Sequence, residues 1–174
     1  MRRTYVIPLV LVCVVLWVGS SWSRSLEVDA SQVAVIKPSA ESTETRLLVQ
    51  FTLPEILAGH SVDFASLSFG ADCVGDEGMV SFQAYAITSA WDAKSVSWTG
   101  SWEKAGGDWD GRHSACEISE VGSGKELSFD VTDFANAWLR EPSKNFGVLV
   151  KVSGAFSGTF SVDRVSAPKL RILY

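Results

Sequence analysis

Beyond residue 25 the chain is a succession of short apolar or alternating segments, each closed off by glycine, proline, serine or aspartate. Leu127, Phe129 and Val131 alternate with Ser128 and Asp130, and Phe156, Phe160 and Val162 with Ser157, Thr159 and Ser161. A period of two belongs to a strand with one buried face. Leu47-Leu48-Val49 and Val148-Leu149-Val150 are unbroken instead, which suits inner strands covered on both faces. The pattern predicts strands near 27–36, 46–53, 62–69, 79–87, 127–131, 146–152, 156–162 and 169–173. An all-β chain of about eight such strands matches a jelly-roll β-sandwich.

One segment departs from this pattern. Phe134, Ala135, Trp138 and Leu139 fall at helical spacing, Thr132 or Asp133 stands where a cap is needed, and Pro142 follows. The spacing predicts a short helix over 133–139, laid across an open end of the sandwich with Trp138 as its plug. Residues 99–124 have no convincing periodicity and read as a long loop, a length that in compact domains is usually functional or disordered. There is no internal repeat, low-complexity tract or linker, so 25–174 reads as one domain.

The first residues read as an address. Arg2 and Arg3 precede an apolar run from Tyr5 to Val18, and small residues follow at Gly19, Ser20 and Ser21. That is a signal peptide over 1–21, cleaved near 21–23, and the chain is expected to be secreted or displayed at the cell surface. The polar surroundings of a twin-arginine signal are missing, and Val12 before Cys13 lacks the small side chain of a lipoprotein site. The rival is an uncleaved anchor, the one membrane attachment the sequence offers, although the run is shorter than a span needs.

The formal charge is −5 at pH 7, and removal of Arg2 and Arg3 would leave the chain more acidic still. Such a surface repels phosphate backbones and anionic headgroups, so nucleic acid is not an expected partner, and anionic polysaccharide would need a bridging cation. Loss of the leader removes Cys13 and leaves Cys73 and Cys116, an even pair that suggests a disulfide in an exported chain. Two free thiols are the alternative.

Catalytic signatures are weak. The two histidines, His60 and His113, are far apart, and no zinc pattern, phosphate loop or nucleophile elbow occurs. Asp92, Asp108, Asp110 and Glu117 lie in or beside the long loop, but no spacing singles out a catalytic pair. Asp108 and Asp110, alternate acids beside glycines, suggest a calcium site, or a turn in which the aspartate caps amides. Tryptophan is the positive signal, with seven in the chain. Trp91, Trp98 and Trp138 read as core. Trp102 and Trp109 lie in the loop, where an exposed indole offers a flat apolar plate to one face of a sugar ring. With Asp108, Asp110, Arg112 and His113 they form the candidate ligand set, Trp109 being equally readable as a loop anchor.

Several of these residues carry a resemblance. Ser89-Ala90-Trp91, Ser95-Val96-Ser97-Trp98, Gly106-Gly107-Asp108, Phe129-Asp130-Val131-Thr132, Trp138 and Asn145-Phe146-Gly147 occur in this order. The series resembles the DNRLRE domain, a carbohydrate-binding-module-like β-sandwich family of secreted and surface proteins, with Ser97 and Phe146 in place of a threonine and a tyrosine. It spans roughly residues 45–152, with a weaker echo at 168–172, whereas 26–43 lack the family's opening segment. The resemblance implies a non-catalytic module that binds polysaccharide or cell-surface glycan. A structural or adhesive surface protein without a sugar site is the second reading, and a small extracellular hydrolase the third.

Overall fold

In the computed structural model, residues 23–42, 44–75, 80–100, 102–118, 122–153, 158–162 and 167–174 are described. The leader expected over 1–21 lies outside them. The described chain is mostly β: β1 (Ser25–Ile36), β2 (Arg46–Phe51), β3 (Phe64–Gly75), β4 (Val80–Ile87), β5 (Trp109–Ile118), β6 (Gly122–Asp130), β7 (Val148–Ser153), β8 (Gly158–Val162) and β9 (Lys169–Leu173), with one helix, α1 (Thr132–Arg140), between β6 and β7. The strands form one antiparallel sheet in the order β5-β4-β7-β2-β1-β9-β3-β6, with β8 also on β3.

The sheet curls about β1. Ser25 to Asp29 pair with β9 and residues 32–36 with β2, and the register shifts between Ala30 and Gln32. Such an irregularity bends a strand and increases its twist, which here turns one arm of the sheet against the other. Leu47, Val49, Phe82, Leu67, Phe129 and Leu170, drawn from both arms, meet in one core. The alternation in β6 is realised, with Leu127 and Phe129 buried and Ser128 and Asp130 exposed.

The unbroken runs are covered on both faces, as read from the sequence. Leu48 and Leu149 are 0% exposed and lie in a second cluster with Ile36, Tyr85, Ile87 and Trp91. Residues of the 88–108 connection, Ala93, Val96, Trp98 and Trp102 among them, pack onto that cluster from outside. This connection therefore roofs an apolar sheet face.

Helix α1 closes one end of the core with Phe134, Ala135 and Trp138, the last 3% exposed. Thr132 and Asp133 do not cap it. The Asp130 carboxylate accepts from the Thr132 N–H at 3.0 Å and from its hydroxyl at 2.6 Å, while the Ala65 N–H donates to Thr132 Oγ1 at 2.9 Å. Asn136 bonds both backbone groups of Val62, at 2.9 and 3.0 Å, tying the helix to the segment before β3.

The long loop expected over 99–124 is the main correction. Its second half is β5, paired with β4 from Val80↔Ile118 to Ile87↔Trp109. β5 ends the strand order, and an antiparallel strand can leave one face to solvent: Asp110 is half-buried and Gly111 and Arg112 are exposed. Asp110-Gly111-Arg112 can then be polar and still be strand.

Candidate functional site

Asp108 organises the roof. It is 9% exposed and accepts from the Ser89 hydroxyl at 2.7 Å and from the Glu103 and Lys104 N–H groups at 2.9 Å each. Burial alone would raise its pKa. The hydrogen bonds from Ser89, Glu103 and Lys104 and the Lys104 charge outweigh it, holding the carboxyl below the usual carboxylate range. The reading of this aspartate as an amide cap is the one the geometry matches.

The tryptophans of the roof are occupied. Trp91 Nε1–H donates to Phe146 O at 2.7 Å, and Trp102 Nε1–H to Ser97 O at 2.9 Å. Arg46 lies with Cζ 4.3 Å from the Trp98 ring centroid and 4.9 Å from that of Trp109. Its Nη1 donates to Gly106 O at 2.7 Å and its Nη2 to Glu44 Oε1 at 2.6 Å. Lys151 Nζ stands 5.2 Å from both Tyr85 and Trp109. Burial, then the Arg46 charge, pushes this amine's pKa down, and Glu44 partly restores it. Trp109 is thus a half-buried strand residue flanked by two cations and by Tyr85, not a free plate on a loop. Sequence reading missed Arg46. The available signal was a cation opening a strand whose next three residues are apolar, because a charge carried into a covered sheet face must find partners.

Asp110 and Arg112 have a different setting. The Asp110 carboxylate accepts from the Arg112 N–H at 3.0 Å, from its Nε at 3.0 Å and from its Nη2 at 2.8 Å. Both residues line a cavity of about 510 Å³ between β4–β5 and α1, with Ile87, Trp138 and Phe146 as apolar walls. Glu141 and Lys144, an ion pair at 2.6 Å, complete its rim. Arg112 also lines a second cavity of about 630 Å³ toward the start of α1, with Asp63, Phe64, Asp130 and Asp133. Phe64 is 40% exposed there, the one aromatic among the exposed large apolar residues of the described chain.

The structure therefore divides the sequence-derived set. Trp102, Trp109 and Asp108 belong to the roof, whereas Asp110 and Arg112 belong to the helix-side cavities, where Phe64, Trp138 and Phe146 supply the aromatic surface. The His113 backbone is opposite Tyr85, and its side chain lies outside the described residues. Asp108 and Asp110 are each engaged by donors of the chain, and among the described residues no group of three or more His, Cys, Asp or Glu is placed to hold a metal ion. Cys73 is opposite Gly122 and Cys116 opposite Phe82, so their backbones flank the β5–β6 connection on opposite arms of the sheet. The side chains of both cysteines lie outside the described residues.

A curled antiparallel domain with an aromatic-walled, charge-rimmed groove beside its one helix is the class that fold and site define. No protein-family model matches the sequence, and no curated protein matches it.

Proposed function

We propose that the protein is an exported, non-catalytic module that binds glycan, and that the site is the groove beside α1. We read the curled sheet as a jelly-roll β-sandwich whose two layers share β1, in keeping with the resemblance to the DNRLRE domain. The observation that carries the reading is Phe64, an aromatic ring left 40% exposed in a cavity lined also by the carboxylates of Asp63, Asp130 and Asp133, the hydroxyl residues Ser114 and Thr132, the Arg112 guanidinium and the apolar Val131 and Phe134. A sugar offers a C–H face for such a ring and hydroxyls for the polar groups around it. No calcium is needed for this mode of binding.

The test is titration of a panel of oligosaccharides against wild type, Phe64→Ala, Arg112→Ala and Trp102→Ala, after each variant is shown to fold. Loss of one stacking plate or one charged hydrogen bond should weaken binding about tenfold in the first two variants. Trp102→Ala should bind as wild type does. Loss confined to Trp102→Ala would put the sugar site back on the roof. Failure of wild type to bind any glycan would favour the structural or adhesive protein, for which Val33 and Val35, exposed two residues apart on β1, are the nearest apolar surface.

A further inference from the structure

We propose that the two cavities form one extended groove and that its occupant is an oligosaccharide bearing free, protonated amines; this rests on the glycan reading and names the ligand class of the same site. Asp110 lines one cavity, Ser114 the other and Arg112 both, although the register of β5 is irregular between Trp109 and His113. Opposite them, Asp133 lines one cavity and Glu141 the other, two helical turns apart and about 12 Å along the axis. A groove of that length fits several linked rings better than one.

The charge along it is uneven. At the Trp138 end, Asp110 is paired with Arg112 and Glu141 with Lys144, which leaves that end near neutral above an apolar wall. At the other end no ion pair joins Asp63, Asp130 or Asp133 to a cation among the described residues, and Arg112, the cation that lines this cavity, is bound to Asp110. Asp130 accepts from the neutral N–H and hydroxyl donors of Thr132. The start of α1 contributes roughly half a positive charge, too little to offset three carboxylates. These carboxylates are not gathered as metal ligands. They make a spread negative potential beside the exposed Phe64 ring, and an ammonium group on a sugar satisfies both, by Coulomb attraction and by contact with the ring face. Uronates and sulfated sugars are repelled by the same charges.

The experiment is calorimetric titration of the purified protein with chitosan oligosaccharides, with the same oligosaccharides after N-acetylation, and with an oligouronate, at a pH that protonates the amines. The amine form should bind about three- to tenfold more tightly than the acetylated form at low salt, and the difference should shrink as salt is added. The double variant Asp63→Asn, Asp133→Asn should bind both forms alike while keeping its unfolding midpoint; if it fails to fold, the salt dependence of wild type decides. Equal or tighter binding of the acetylated form, or preference for the oligouronate, would overturn the amine assignment and leave the glycan reading standing. Binding of none of the three would overturn the amine assignment, and silence across the wider glycan panel would overturn the glycan reading too.

Discussion

At the scale of single residues, two charged groups hold the roof in place. Arg46, 8% exposed, fills the space between two indoles and binds the Gly106 carbonyl. Arg46→Ala should therefore cost about 3 kcal/mol, the sum of a charged hydrogen bond and two partly desolvated ring contacts, measured as a shift in denaturant midpoint. Asp108 gives a pH signature. Its folded pKa lies below its unfolded value of about 3.9, so its contribution is whole above that value and is lost as pH falls through the folded one. Asp108→Asn should destabilise by about 1–3 kcal/mol near neutrality, with the gap to wild type closing in acid. A constant gap down to low pH would mean that the carboxylate charge is not what the roof uses. Asp108 was legible as a turn aspartate because Gly106-Gly107-Asp108 advertises a reversal. Arg46 was less legible: a cation opening an apolar strand calls for partners, but apart from Glu44 those partners, Gly106, Trp98 and Trp109, lie far along the chain.

At the scale of elements, period two and unbroken apolar runs located most strands because burial on one face or two leaves a direct trace in residue order. β5 left none, being a flank strand whose backbone pairing to β4 is invisible in side-chain chemistry. That pairing also changes the setting of Trp109, read from sequence as a loop residue that either meets ligand or anchors the loop: as a strand residue it has its ring beside Arg46, Lys151 and Tyr85. The Asn145-Phe146-Gly147 turn shows the opposite case, a motif with a local mechanical reason. Asn145 Nδ2 donates to Phe51 O at 2.8 Å, Gln50 Nε2 to Asn145 O at 2.6 Å, and Gly147 has φ +88° against the backbone of β2. A Cβ at Gly147 would run into the Val49 carbonyl oxygen. Gly147→Ala should thus cost about 3 kcal/mol or more, because positive φ and a backbone clash add together; unfolding within 1 kcal/mol of wild type, about the typical cost of any substitution, would show that the two strands separate easily. Trp138→Ala should be the most damaging of the domain's tryptophan changes, at about 3–5 kcal/mol, with Trp91→Ala next and Trp102→Ala least. Denaturant midpoints of the alanine series rank them.

At the scale of the whole molecule, acidity read from composition becomes useful only once the fold distributes it. Asp63, Asp130 and Asp133 are separated from Asp110 and Arg112 in sequence, and the fold brings them to two cavities beside α1 that share Arg112; the proposed groove joins the two. Nothing in residue order announces that groove, whereas the helix that forms one wall was plain from its spacing. A disulfide between Cys73 and Cys116 would link the two arms across the β5–β6 connection. In protein recovered from outside the cytoplasm, neither thiol is then expected to react with a labelling reagent before reduction, and full labelling would count against the link. The central claim, that ligand meets the groove and not the tryptophan-rich roof, is tested most directly by backbone and indole NMR shifts on addition of a bound oligosaccharide. The amides of Arg112, Asp133 and Ala137 should move while the indole signals of Trp98 and Trp102 stay still; movement of those indoles with the groove unchanged would contradict binding in the groove.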